Sequence, residues 1–205
     1  MTGRTSFTGP IVALAMLAAA PAARAEEPPC AEAVRALMHG EGPKIPHRLT
    51  ATTTMAGGQT MVNRGESDAK GGHLTMDENG VPVSLFITDR FYTSPDKGQS
   101  WALIQTYSAD VIRDIKDGLA TQAKEATNIV CNLDAGFEGR PAHHYAVDYR
   151  IHPTGTPMHS EYWVEPDTGF AFRSVTVSDP GTASEITILQ LSENAPDVVI
   201  PDPGK

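Results

Sequence analysis

The chain has 205 residues, 40% of them apolar and 20% charged, and a formal net charge of −9. That balance describes one globular domain with a real core rather than a disordered chain. With Lys and Arg scattered singly, nothing neutralises phosphates in quantity, so nucleic acid is excluded as a partner.

Residues 1–25 read as an address. One cation, Arg4, precedes the apolar run Ile11–Ala20, and Ala23-Arg24-Ala25 offers small residues for cleavage. This is the layout of a secretory signal peptide, and the run falls short of the ~20 residues needed to cross a bilayer. Cleavage is expected after Ala25, giving an exported, soluble periplasmic protein. Residues 26–195 form the expected single domain, and the Pro- and Asp-rich 196–205 a flexible tail.

The only two cysteines are Cys30 and Cys131. In an oxidising compartment an even count predicts one disulfide. Closing a loop of about a hundred residues contributes roughly 4–5 kcal/mol in the chain-entropy model.

The elements then follow in order. Residues 30–39 favour helix, with Pro28 and Pro29 before them and Gly40 after. From His47 to Ile104, β-branched runs alternate with the turn signals Gly57-Gly58, Lys70-Gly71-Gly72, Asn79-Gly80 and Asp96-Lys97-Gly98. These describe an antiparallel meander. Over 108–130, Val111, Ile112, Ile115, Leu119 and Ala123 recur at helical spacing behind the N-cap candidate Ser108. Strands resume after Cys131. In 142–152, Tyr145, Val147 and Tyr149 alternate with His144, Asp148 and Arg150, which predicts a buried and a solvent face.

Signatures of chemistry are sparse. There is no Gly-x-Ser-x-Gly elbow, His-Glu-x-x-His pair or P-loop, so no catalytic residue and no cofactor is assigned. Seven histidines and seven methionines suggest a copper-type metal module as one alternative function. Adjacent strand residues such as His143 and His144 point to opposite faces, however, and no metal ligand is assigned. A structural or interaction domain is the other alternative.

Two aromatic segments say more. Tyr92 and Trp101 flank the turn Ser94-Pro95-Asp96-Lys97-Gly98, and Tyr162-Trp163 leads through Pro166-Asp167-Thr168-Gly169 to Arg173. With the order helix, meander, long helix, meander, these segments resemble the LolA/LppX-like superfamily of periplasmic lipoprotein and lipid carriers. The resemblance implies an α+β fold: a strongly curved antiparallel half-barrel, with the N-terminal helix and one long helix covering its concave face. It also implies an apolar cavity beneath the long helix, with Leu85, Ile87, Trp101, Ile115, Leu119, Tyr149 and Trp163 as its expected walls. The implied ligand is a lipid or other hydrophobic small molecule, carried by a monomer that meets a membrane-associated partner protein. The first meander is richer in Thr and Gly than a wide lipid cavity would favour.

Overall fold

Short acidic turns set the hairpins of the first half. The Asp68 Oδ1 accepts hydrogen bonds from the Lys70 and Gly72 amides at 2.9 and 2.8 Å, and Asp77 Oδ1 does the same for Asn79 and Val81 at 2.9 Å each. Each carboxylate thus satisfies two turn amides while a glycine takes the left-handed backbone, at Gly71 (φ 88°) and Gly80 (φ 80°).

In this computed structural model residues 27–204 are described; the expected leader and its cleavage site lie outside them. A short helix, α1 (Ala31–Met38), precedes six strands: β1 (His47–Met55), β2 (Thr60–Ser67), β3 (His73–Met76), β4 (Pro82–Ile87), β5 (Arg90–Thr93) and β6 (Ala102–Thr106). The helix α2 (Ala109–Lys124) leads to β7 (Thr127–Asn132), β8 (His143–Ile151), β9 (Thr156–Val164), β10 (Ala171–Ser178) and β11 (Ile186–Asn194).

All eleven strands form one open antiparallel sheet in the order β6-β5-β4-β3-β2-β1-β11-β10-β9-β8-β7. Two meanders meet at the β1–β11 pair, where His47 to Met55 lie opposite Asn194 to Ile186. Among the described residues the single helical crossover, α2, therefore joins the two outer edges, β6 and β7. Bringing those edges within reach of one helix requires the sheet to curl. The architecture is an α+β half-barrel, as the sequence implies.

The disulfide joins Cys30 to Cys131, with the Cα atoms 5.8 Å apart, and so pins the start of α1 to β7. Val34 is fully buried between them and packs with Tyr145, Val147 and Val164. Arg35 pairs with Glu27 and donates from Nε to the Ala123 carbonyl at 3.1 Å, which ties α1 to the last turn of α2. Ala123 is the buried residue of α2.

One expectation needs correction. The helix predicted over 108–130 begins as expected, with Ser108 Oγ accepting from the Val111 amide, but it stops at Lys124. Thr127, Ile129 and Val130 are β-branched, and Thr127 and Val130 pair with β8 in an edge strand instead of extending the helical stripe. In the segment 196–205, the residues as far as Ile200 lie against the sheet. Val198 is buried, Ile200 packs against Leu74 and Leu85, and Asp197 holds Arg48 at 2.7 Å.

Candidate ligand-binding face

Direct antiparallel partners point their side chains to the same side of a sheet, so the register sorts every strand residue onto one of two faces. One face carries α1 and the end of α2; here it is the helix side. The other is the outer face.

On the helix side Cys131 lies opposite Tyr145, Tyr145 opposite Tyr162, and Tyr162 opposite Ser174. The rows continue through Gln190 to Ala51 and Asn63. Aromatic and apolar side chains therefore sit beneath α1, and in the middle of the face Ser, Thr, Asn and Gln groups are interspersed with Leu49, Met61, Ile186 and Ile188, the last three exposed. Ser160 is fully buried here, with its Oγ 3.3 Å from the Tyr149 hydroxyl and 3.0 Å from Thr176 Oγ1. Burial foremost, then the neighbouring Tyr149, pushes the Tyr162 phenol up to about 12. These hydroxyls are hydrogen-bonding groups rather than acids or bases at neutral pH. At the far end, Phe86 and Phe91 are cross-strand partners on this same side, and Phe86 packs against Tyr107 with ring centroids 6.0 Å apart.

Over this face α2 is anchored at one end. It approaches only α1 and β8 among the described elements. Along the rest of it the apolar stripe is open: Val111 is 41% exposed and Ile115 50%. Helical spacing alone predicts a buried stripe; the structure leaves Val111 and Ile115 exposed and Ile112 and Leu119 half-buried.

The seven expected cavity residues are divided by the sheet. Leu85 faces outward, because it lies opposite Leu74, Leu74 opposite Glu66, and Glu66 opposite Arg48. Leu85, Leu74 and Tyr92 form an outer-face cluster with Ile87, Trp101 and Ile200 packed against it. Trp163 also faces outward, opposite Arg173. Tyr149 faces the helix side, opposite Met158, and Ile115 and Leu119 lie on α2. The structure thus groups Leu85, Ile87 and Trp101 in one place and keeps Tyr149, Ile115 and Leu119 on the other side of the sheet. Phe86 and Phe91 were missed. The run from Val81 to Ile87 is apolar at both parities, apart from Ser84, so it carries no signal of which residues face which side.

The second aromatic segment is resolved into a turn with a purpose. Thr168 Oγ1 donates to Glu165 at 2.8 Å and accepts from the Phe170 amide at 3.1 Å, while Gly169 takes φ 71°. The turn sets Trp163 opposite Arg173, whose guanidinium carbon lies 4.1 Å from the Trp163 ring and 5.1 Å from that of Phe137. Beside them, His144 stacks on Trp163 at 4.6 Å and reaches Glu161 at 2.8 Å. His159 meets Asp148 at 2.6 Å. The Asn128 amide first, and His159 second, hold the Asp148 carboxyl below its usual range. His144 and Asp148 are accordingly half-buried, whereas Arg150 is exposed. Among the described residues no three His, Cys, Asp or Glu side chains gather as a metal site.

The fold and this face define an open α+β half-barrel with one helix bridging its edges. No protein-family model and no curated protein matches the sequence. Similar solved structures include crystal structures of MucB, of the LolA superfamily protein NE2245 from Nitrosomonas europaea, and of the hypothetical lipoprotein YmcC from Escherichia coli (K12). Identities to these three are 16%, 8% and 10%, with TM-scores of 0.44, 0.33 and 0.27. The matches cover 87%, 80% and 82% of this chain, and 63%, 91% and 98% of the other chains. The chain thus spans less than two thirds of the MucB chain.

Proposed function

We propose that the protein is an exported, non-catalytic carrier of an apolar ligand, such as a lipid or lipoprotein acyl chain, held between α2 and the helix side of the sheet. The observation that supports this reading is the open stripe of α2. A helix obliged by topology to bridge the two sheet edges leaves Val111 and Ile115 exposed over a face that ends in Phe86 and Phe91. Apolar side chains in that position gain from a guest. Each buried methylene contributes about 0.8 kcal/mol. Ten of them give about 8 kcal/mol, the scale of micromolar affinity before ordering costs. In the middle of the face the exposed Ile186, Ile188 and Met61, set among Ser, Thr and Gln side chains, add to the apolar contact offered by the helix and the aromatic end.

The disulfide supports an oxidising compartment, consistent with the leader-like N-terminus and a periplasmic address. No helix of the described residues is long and apolar enough to cross a membrane. A net charge of −9 disfavours resting on anionic lipid, which suits a monomeric shuttle that meets its membrane-associated partner in solution.

The test is displacement of a fluorescent fatty acid. Saturable binding is expected, weakened at least about tenfold by Leu119→Trp, which fills the space under α2. No saturable binding to the wild type contradicts the carrier reading.

A further inference from the structure

A cleft of about 350 Å³ opens on the outer face, on the side of the sheet away from α2. Three arginines line it, Arg48, Arg140 and Arg173, with apolar walls from Phe137, Phe172 and Leu191. Two of the three are spent on carboxylates. Arg48 holds Glu66 at 2.9 Å and Asp197 at 2.7 Å, and Arg140 holds Glu165 at 2.5 Å while lying 3.9 Å over the Phe172 ring. Arg173 differs. Its contacts are the faces of Trp163 and Phe137, and among the described residues it makes no ion pair and no side-chain hydrogen bond. Ring contacts engage the flat face of a guanidinium and leave its N–H edge free.

We propose that Arg173 is the anchor of a second binding site, selective for a small apolar monocarboxylate. The fork of N–H donors matches the two oxygens of a carboxylate, and stacking on Trp163 and Phe137 fixes the fork before the ligand arrives. Phe137, Phe172 and Leu191 provide a surface for the ligand's apolar body. Glu138 and Glu193 on the rim disfavour a doubly charged phosphate more than a singly charged carboxylate. The site is independent of the carrier reading, because it lies on the opposite face and uses none of α2.

The test is a titration of the isotopically labelled full chain with benzoate, followed through the indole N–H signals of its two tryptophans at about 0.15 M salt, where charges beyond about 8 Å are screened. The Trp163 signal is expected to move saturably while that of Trp101 stays still, and benzyl alcohol at the same concentration is expected to move neither. Arg173→Gln should weaken benzoate at least about tenfold, and Arg173→Lys, which keeps the charge but not the fork, should weaken it less. Leu191→Trp fills the cleft from an exposed position on the strand beside Arg173, so it should abolish binding in a folded chain even if Arg173→Gln fails to fold. Leu119→Trp should leave it intact. A Trp163 signal unmoved by benzoate, equal movement with benzyl alcohol, or undiminished binding by folded Arg173→Gln or Leu191→Trp overturns the proposal.

Discussion

Val147 and Asp148 are neighbours on β8 that the register sends to opposite faces, and replacing each by the other's chemistry tests that register directly. Val147 is fully buried with Val34, Tyr145 and Val164. Val147→Asp removes about 1.5–3 kcal/mol of apolar burial. It also places a carboxyl where nothing pairs with it, and keeping that group neutral or leaving it charged costs several kcal/mol more. The sum, on the order of 5 kcal/mol, is comparable with the whole stability of a small domain. Asp148→Val loses the bonds to Asn128 and His159, at 2.7 and 2.6 Å, from a side chain 40% exposed. Half-exposed pairs of this kind are worth about 0.2–1 kcal/mol, and valine's preference for strands offsets part of the loss. Urea midpoints of the oxidised proteins at pH 7 should separate the two by at least about 3 kcal/mol. Equal losses, or a larger loss for Asp148→Val, would refute the assignment of faces.

Four further outcomes follow from the geometry. Reducing the protein, or replacing Cys30 and Cys131 by Ser, should lower stability by about 3–5 kcal/mol, with intact mass before and after alkylation confirming one bond and no free thiol. Gly98→Ala should cost more than about 1 kcal/mol, because Gly98 sits at φ 91° and an added Cβ would come within 2.9 Å of Pro82; a thermal melt reads it. Burial, and the charge on His47, push the His73 imidazole below its ordinary value. Its contribution is therefore complete above the unfolded value of about 6.5 and is lost as pH falls through the folded value. His73→Asn should accordingly flatten the fall in melting temperature between neutral and mildly acid pH. Ile115→Glu should change stability by less than about 0.5 kcal/mol, since Ile115 is 50% exposed, while reducing fatty-acid affinity.

The sequence carried the fold further than it carried the site. Gly71, Gly72, Asn79 and Gly80 announce their turns because the conformation depends on local chemistry, and the first meander follows from them, although the part played by Asp68 and Asp77 appears only in the structure. The cysteine pair was equally legible, for lack of any other partner. The end of α2 was not. Ala126 and Val130 continue a helical spacing, and only the pairing of Thr127 to Asn132 with β8 shows that the chain has turned to strand. The cavity residues were harder still. Leu85 and Phe86 are adjacent and both apolar, so no periodicity says which turns toward α1, and that choice is made by pairing carried strand by strand from β3 to β1. Trp163 and Arg173 were visible as a motif, but Phe137, which completes their contact, comes from a loop whose sequence gives no sign of it. The open stripe of α2 could not be foreseen, because an exposed and a buried amphipathic helix share one pattern.

The carrier reading turns on whether anything occupies the space beneath α2 in the cell. Native mass spectrometry of the protein purified from the periplasm without detergent addresses this directly. The account predicts added mass matching a lipid or fatty acid, lost in Leu119→Trp and retained in Leu191→Trp. Protein of bare polypeptide mass that also fails to take up fatty acid when it is supplied would contradict it.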